Sequence, residues 1–295
     1  MPRAFRFGLV AAYAPSRSAW VSIARRAEEL GYATLLMPDR TTGGTLAPIP
    51  ALAVAAAVTS SLRVGSYVFC NGYRHPVLLA REAATLDLLS DGRFELGLGT
   101  GVSSVEFEQM GMAFASAGAR IGQLEETIQV MKQLFTEETV NFSGKYYTVT
   151  ELKGNIRPVQ KPRMPILVAG AGERMLSLAA READIIAIGS KISAHGADPT
   201  DATLEQKIAW IREAAGQRFA ELELSQTIFD LEISDSSTPL SSQTGGWSMP
   251  KRPLNTEQAV AHLLEQRERY GFSYLQVSTQ QMENFAPVLT RLAGK

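Results

Sequence analysis

Hydrophobic residues along the chain change repeatedly between the short apolar runs of strands and the wider spacing of amphipathic helices. Phe5-Arg6-Phe7-Gly8-Leu9-Val10 has the pattern of a strand, and residues 20–30 follow it with apolar side chains at helical spacing. Two further pairs show the same pattern: Thr34–Met37 with residues 50–58, and residues 63–69 with Pro76–Leu89. The first ninety residues therefore predict three consecutive βα units.

The fourth strand begins a glycine-rich stretch. After the turn signal Asp91-Gly92, apolar residues alternate through positions 94–98, which predicts a strand with one face in a core. Gly97, Gly99 and Gly101 alternate with them and overlap the end of this strand. Two explanations are open: the glycines let a flat or phosphorylated ligand approach the backbone, or they relieve crowding inside a small barrel.

The remaining chain continues the alternation of strands and helices. Strands are predicted at residues 165–169, 184–188, within 222–233, and at 274–277. Helices are predicted at 121–135, 173–182, 204–215, from the cap Asn255 to Tyr270, and at 285–292. Eight such units indicate an α/β fold with parallel strands closed into a (β/α)8 TIM barrel; a doubly wound open sheet is the main alternative.

We expect residues 1–295 to form a single domain with insertions after strands 4, 6 and 7. A loop at 101–119 follows strand 4, and a β-hairpin at about 139–149 is interpreted as a peripheral addition. Irregular loops are expected at about 189–203 and 234–254. The second of these contains Trp247 and few aliphatic residues, so it is predicted to be a loop or lid.

Composition narrows the class of partner. The 29 basic and 30 acidic residues nearly balance, so nucleic acid and anionic membranes are not expected as partners. A small molecule is the expected partner. A single cysteine, Cys70, argues against a disulfide framework and suits a reducing compartment, and no apolar run is long enough to span a bilayer; both predict a cytoplasmic protein. His75, His195 and His262 lack the spacing of a metal site, so no metal is expected.

Candidate site residues lie where strands lead into helices, because active sites of such barrels form there. Arg40 could bind a carboxylate or phosphate, or pair with Asp39. His75, immediately before a proline, could act in the site or serve only as the N-cap of its helix. Gly170-Ala171-Gly172 could bind an anion at a helix start or form an ordinary tight turn.

Several of these stretches together resemble a known family. They are Asp91-Gly92-Arg93-Phe94 with Gly97-Leu98-Gly99-Thr100-Gly101, the helix that starts at His75-Pro76, Phe142-Ser143-Gly144-Lys145-Tyr146-Tyr147, and Pro165-Ile166-Leu167-Val168-Ala169-Gly170-Ala171-Gly172. The chain resembles the luciferase-like oxidoreductase superfamily and is most similar to the branch that uses the deazaflavin coenzyme F420. The resemblance implies a deazaflavin at the C-terminal mouth of the barrel, and members of this family often form homodimers.

Cofactor-binding roles follow from the same resemblance. Asp39 and Arg40 match a pair that usually reads Asp-His beside the ring. Ser66 and Tyr67 match a position where the family often has a non-prolyl cis peptide, and the remaining cofactor contacts implied are Thr100, Gly101, Ala171 and Gly172. Two departures, Arg40 in place of histidine and Val102 in place of an acid, argue against alcohol oxidation, which needs a base.

The implied reaction is hydride transfer from reduced F420 to a C=C or C=N bond of a small metabolite, such as one in a biosynthetic pathway. The candidate proton donors are Tyr13, Tyr73, His75 and Glu106, and Arg40 could stabilise developing negative charge. An FMN-dependent monooxygenase of the same superfamily is the alternative. A barrel that binds a deazaflavin without turnover is a second alternative.

Overall fold

A computed structural model describes residues 3–154, 156–193, 196–235 and 252–295. The central strands are β1 (Arg6–Val10), β2 (Thr34–Met37), β3 (Arg63–Ser66), β4 (Phe94–Gly99), β5 (Ile166–Gly170), β6 (Ile185–Ile188), β7 (Glu223–Thr227) and β8 (Phe272–Ser278). Each pairs in parallel with the next, and β8 pairs with β1, so the sheet closes on itself. The predicted (β/α)8 TIM barrel is confirmed, and the open sheet is excluded.

The helices are α1 (Arg17–Glu29), α2 (Pro48–Ala57), α3 (Pro76–Leu89), α4 (Ser104–Gln109), α5 (Ala117–Thr136), α6 (Glu173–Glu182), α7 (Leu204–Ala215), α8 (Thr256–Tyr270) and α9 (Ala286–Leu292). Asn255 and Gln258 form a capping box at the start of α8, which confirms the predicted cap. The predicted loop at 101–119 was wrong in part, because α4 lies inside it and is capped by the Ser103 side chain. In the described ranges no helix combines the length and apolar character needed to cross a membrane.

The hairpin between α5 and β5 is held firmly against α5. Its strands are Thr139–Ser143 and Thr148–Lys153, so it is longer than predicted. The Glu126 carboxylate of α5 accepts hydrogen bonds from the backbone N–H groups of Lys145, Tyr146 and Tyr147 at 2.7 to 3.0 Å. The hairpin forms a sheet of its own outside the barrel, and its turn is positioned by a barrel helix.

Short strand pairs lie at the two irregular loops. In the first, Ile192–Ser193 pairs antiparallel with Gly196–Ala197, and Lys207 of α7 donates to the Gly189 carbonyl. At the second, Leu231–Ile233 just before the loop pairs with Arg252–Leu254 at its end, so residues 252–254 of the predicted loop at 234–254 form a strand. The predicted lid with Trp247, and His195, lie outside the described residues.

A buried ionic cluster fills the N-terminal end of the barrel. Glu95 of β4 is 2% exposed and accepts hydrogen bonds from Arg6 at 2.5 Å and Arg63 at 2.7 Å. The Tyr274 hydroxyl donates to the same carboxylate at 3.1 Å, and Arg6 also pairs with Glu223 at 2.7 Å. Because the groups come from five different strands, the cluster ties opposite sides of the barrel together.

Crowding between β3 and β4 explains two of the three alternating glycines. A Cβ on Gly97 would lie 2.0 Å from the Ser66 carbonyl oxygen, and one on Gly99 would lie 2.6 Å from Val68 Cγ2. The Ser66 hydroxyl donates to the Gly97 carbonyl and accepts from the Gly97 N–H, at 2.8 and 2.9 Å. The crowding explanation therefore holds for Gly97 and Gly99, and both glycines let β4 approach the chain at and beyond the end of β3.

We expect Gly97→Ala to lower the free energy of unfolding by about 1 to 3 kcal/mol or more, because the added methyl meets backbone that cannot rotate away. Gly189→Ala is the matched control at another strand end, since its Cβ would have its nearest contact at 3.5 Å and should change stability by less than about 0.5 kcal/mol. Urea unfolding followed by tryptophan fluorescence measures both. Equal midpoints for the two variants would contradict the crowding explanation.

Candidate functional site

A pocket of about 430 Å³ lies at the C-terminal ends of β3 and β4. Its lining comes from the segment after β3, the end of β4, α4, α5 and the hairpin turn. The polar and aromatic residues that matter for its chemistry are Asn71, Tyr73, His75, Thr100, Arg120 and Tyr147. This end of a TIM barrel is where small-molecule sites form, so the pocket is the candidate active site.

The segment after β3 forms one wall of the pocket. Phe69 and Cys70 pair with Leu98 and Gly99 at the end of β4, and the turn Asn71–Tyr73 follows. A non-prolyl cis peptide joins Tyr67 and Val68, one residue later than the Ser66–Tyr67 position implied by the family resemblance. The chain then enters α3 through His75 and Pro76.

Asp39 and Arg40 do not pair with each other. The Asp39 carboxylate accepts from the Arg74 guanidinium at 2.5 Å and from the Cys70 N–H at 3.1 Å. Arg40 forms its ion pair with Glu106 of α4. Of the two alternatives for Arg40, pairing with Asp39 was therefore wrong, because each side chain has an oppositely charged partner elsewhere in the chain.

Glu106 is held as a carboxylate by three donors. Besides Arg40, the Thr42 hydroxyl donates at 2.9 Å and the Tyr73 hydroxyl at 3.1 Å. Burial alone would raise the pKa of Glu106, but the hydrogen bonds from Arg40 and Thr42 outweigh it and lower the pKa below its usual value. Glu106 therefore carries no proton to give near neutral pH, and it balances the charge of Arg40.

His75 caps α3 and also lines the pocket. Its Nδ1 accepts the Val77 N–H at 3.3 Å, so the N-cap role is confirmed and the proton of the neutral ring lies on Nε2. The imidazole meets the Tyr147 ring edge-on, with centroids 5.4 Å apart. Tyr13, another predicted proton donor, is 44% exposed and is not part of the pocket lining.

Of the residues implied as cofactor contacts, Thr100 and Gly101 lie at the pocket, whereas Ser66 and Tyr67 are packed within the barrel. Thr100 lines the pocket, and Gly101 beside it has a positive φ of 77°. Ser66 is buried with its hydroxyl bonded to Gly97, and Tyr67 packs against the cluster of Leu36, Leu167 and Tyr274. The cofactor contacts implied for Ser66 and Tyr67 stay predictions.

Ala171 and Gly172 follow β5, the strand next to β4 in the barrel. Gly172 is the N-cap residue of α6 and offers no side-chain acceptor to the N–H groups of the first turn. A Cβ on Gly172 would lie 3.8 Å from Lys191 Cε, so a lysine stem lies beside this turn. Free N–H groups and a nearby cation are features that favour an anion.

Arg120 and Gln123 of α5 and Tyr147 of the hairpin were not predicted as site residues. The α5 residues lie within a helix, away from the strand ends that guided the prediction, and no sequence signal marked them. Tyr147 belonged to the motif that carried the family resemblance, but no role had been assigned to it. In the described part of the chain, no group of three or more His, Cys, Asp and Glu residues could hold a metal ion.

The fold and pocket together define a TIM-barrel protein with a candidate small-molecule site at the C-terminal mouth. Residues 5–229 match the sequence profile of the family described as luciferase-like monooxygenase. The chain belongs to this family, which places it in a class of oxidoreductases.

Curated relatives carry F420-dependent names. An F420-dependent glucose-6-phosphate dehydrogenase of Nakamurella multipartita is 31% identical over 79% of this chain and 68% of its own length. The enzyme of the same name from Amycolatopsis mediterranei is 33% identical over 56% of this chain and 51% of its own length. An F420-dependent hydroxymycolic acid dehydrogenase of Mycobacterium tuberculosis is 33% identical over 67% of this chain and 54% of its own length. The matches thus span between about half and two thirds of these relatives.

Solved structures show the same fold. The coenzyme F420-dependent tetrahydromethanopterin reductase of Methanopyrus kandleri superposes with a TM-score of 0.78, at 18% identity over 99% of both chains. The monooxygenase RslO1 of Streptomyces bottropensis superposes with a TM-score of 0.74, at 20% identity over 97% of this chain and 99% of its own. The barrel is therefore shared by a protein named as an F420-dependent reductase and by one named as a monooxygenase.

Proposed function

We propose that this protein is an F420-dependent reductase that acts on a C=C or C=N bond of a small metabolite. The observation that supports it most is the pocket at the ends of β3 and β4, in a chain whose curated relatives are named F420-dependent dehydrogenases. When bound, the reduced deazaflavin supplies a hydride. The protein has to bind and orient the coenzyme and the substrate, and to deliver a proton.

The residues present suit a planar ligand with a phosphorylated tail. Asn71 is 3% exposed, lines the pocket, and its Oδ1 has no hydrogen-bond partner among the described residues. A ring N–H would satisfy such a buried acceptor, which otherwise lowers stability. We assign the phosphate of the tail to the turn at Ala171 and Gly172, beside Lys191. We assign the part of the coenzyme between ring and phosphate to the backbone of Thr100 and Gly101.

The reductive direction is favoured by the absence of a carboxylate from the pocket lining as described. Val102, where sugar-phosphate dehydrogenases of the resembled branch have an acid, is 75% exposed. Glu106 accepts hydrogen bonds from Arg40, Thr42 and Tyr73 and does not line the pocket. Among the described lining residues, no carboxylate is thus placed to remove a hydroxyl proton in the way that the acid of those dehydrogenases would.

A binding titration with F420 and, separately, with FMN tests the proposal. We expect micromolar or tighter binding of F420 and none of FMN, followed by tryptophan fluorescence and by coenzyme absorbance. The converse result, with oxygen consumption in the presence of reduced FMN, would overturn the proposal and support a flavin monooxygenase. Tight F420 binding without turnover on a panel of unsaturated acids, amides and imines would support the non-catalytic barrel.

A further inference from the structure

Arg120 differs from the other arginines at the mouth of the barrel because its charge is not balanced. Arg40 pairs with Glu106 and Arg74 pairs with Asp39. All 30 acidic residues of the chain lie in the described ranges, and none forms an ion pair with Arg120. The pocket therefore contains one guanidinium whose counter-charge has to come from outside the described chain.

The position of this guanidinium is fixed by the protein. It lies over the Phe114 ring, 3.7 Å from the centroid, and Nη1 donates to the Ala115 carbonyl at 2.9 Å. Its Nε is buried and has no partner among the described residues. Burial lowers the pKa of Arg120, and no carboxylate of the described chain pairs with it to oppose this effect.

The surroundings favour an anion over any other ligand group. Arg120 lies in the first turn of the 20-residue helix α5, whose N-terminal end carries a partial positive charge. Gln123, one turn further, lines the pocket with an amide that can donate, and no Asp or Glu is among the described residues that line it. An arginine fork held in one place binds the two oxygens of a carboxylate or phosphate better than a flexible lysine would.

We propose that Arg120 forms an anion subsite of the pocket, which binds a carboxylate or phosphate of the substrate or of the coenzyme. The identity of that ligand rests on the proposed function. If the anion belongs to the substrate, the enzyme acts on unsaturated acids or phosphate esters. If it belongs to the coenzyme, Arg120 holds part of the tail, and the substrate class stays open.

The test compares wild type, Arg120→Gln, Arg120→Lys and the control Arg212→Gln. Arg212 also has its guanidinium over a phenylalanine ring, Phe219, at 4.6 Å, but it lies on α7 outside the pocket lining. Dissociation constants are measured for F420, for the deazaflavin with a ribityl chain but no phosphate, and for inorganic phosphate. On the F420-bound protein they are measured for crotonate and its neutral amide.

We expect Arg120→Gln to weaken binding of an anionic probe by about 10- to 100-fold, as loss of a charged hydrogen-bond pair does, and to leave the neutral probes unchanged. Arg120→Lys should recover part of the loss, and Arg212→Gln should bind every probe like wild type. Weaker F420 binding at unchanged crotonate affinity, with or without weaker phosphate binding, identifies the coenzyme as the source of the anion. Weaker crotonate or phosphate binding at unchanged F420 affinity identifies the substrate.

Arg120→Gln with wild-type affinity for all of these probes would overturn the subsite, as would equal weakening of neutral and anionic probes. The proposed function fails separately, if wild type does not bind F420. In that case the phosphate titration alone still tests Arg120, because it needs no coenzyme.

Discussion

Replacing Glu95 with glutamine is expected to lower the free energy of unfolding by about 3 to 5 kcal/mol, because it breaks a buried ionic cluster by removing one partner. The Glu95 carboxylate is 2% exposed and is the shared acceptor of Arg6, Arg63 and Tyr274. A neutral amide would leave the two arginines at the barrel end with half of their counter-charge. Urea unfolding at pH 7 measures the loss.

The same cluster predicts how stability depends on pH. Burial alone would raise the pKa of Glu95, but attraction by Arg6 and Arg63 outweighs it, and the pKa is lowered by folding. Stability from a lowered carboxyl pKa is complete above the unfolded value, about 4.3, and is lost as pH falls through the folded value. The difference between wild type and Glu95→Gln should therefore shrink as pH is lowered below about 4.

Glu283→Gln is the matched control for the loss of a carboxylate. Glu283 forms a two-point ion pair with Arg26 at 2.7 and 2.8 Å, but both side chains are about two fifths exposed, at 38% and 43%. Its loss should lower stability by less than about 1 kcal/mol. Similar losses for Glu283→Gln and Glu95→Gln would show that the buried cluster is not a major source of stability.

The fold could be predicted because each βα unit carries its own local signals. The strand runs, the proline at the start of α3 and the capping box at Asn255 are all short-range features, and α6 and α7 lie at the predicted bounds. The loop that contains α4 was predicted wrongly because the helix has only six residues, too few to show a helical period. Periodicity is informative where an element is long or repeated.

The site could be predicted less well because its contacts join residues that are distant in sequence. The strand-end rule found Thr100 and His75, but it did not find the partners of Arg40 and Asp39, whose ion pairs span 66 and 35 positions. Arg120 comes from a helix, and the hairpin turn reaches the pocket because Glu126 binds its backbone. These placements depend on packing, which one sequence does not display.

Among the four predicted proton donors, the structure favours His75. Glu106 is held ionised, and the Tyr73 hydroxyl already donates to it at 3.1 Å, while burial raises the pKa of Tyr73 further above neutral. Tyr13 does not line the pocket. His75 lines it, and because Nδ1 accepts the Val77 N–H, its Nε2–H is left to hydrogen-bond to a substrate and to pass on a proton that water returns to the ring.

We therefore expect His75→Asn to lower kcat for reduction by about 10²- to 10⁴-fold, as loss of a positioned acid does. Asparagine is chosen because its Oδ1 replaces Nδ1 as the N-cap acceptor, so α3 and the thermal midpoint should be unchanged. The dissociation constant of F420 should stay within about twofold of wild type, which separates loss of the proton from loss of binding. Stopped-flow oxidation of reduced F420 with the substrate found in the panel measures kcat.

Tyr147→Phe is the companion variant, because Tyr147 is the other ring at this edge of the pocket and meets His75 at 5.4 Å. It should keep most of the activity, since it retains the ring that contacts the imidazole and removes only the hydroxyl. Full activity in His75→Asn together with a large loss in Tyr147→Phe would reassign the proton donor to the hairpin. A loss in His75→Asn that is matched by a loss of F420 affinity would instead assign His75 to binding.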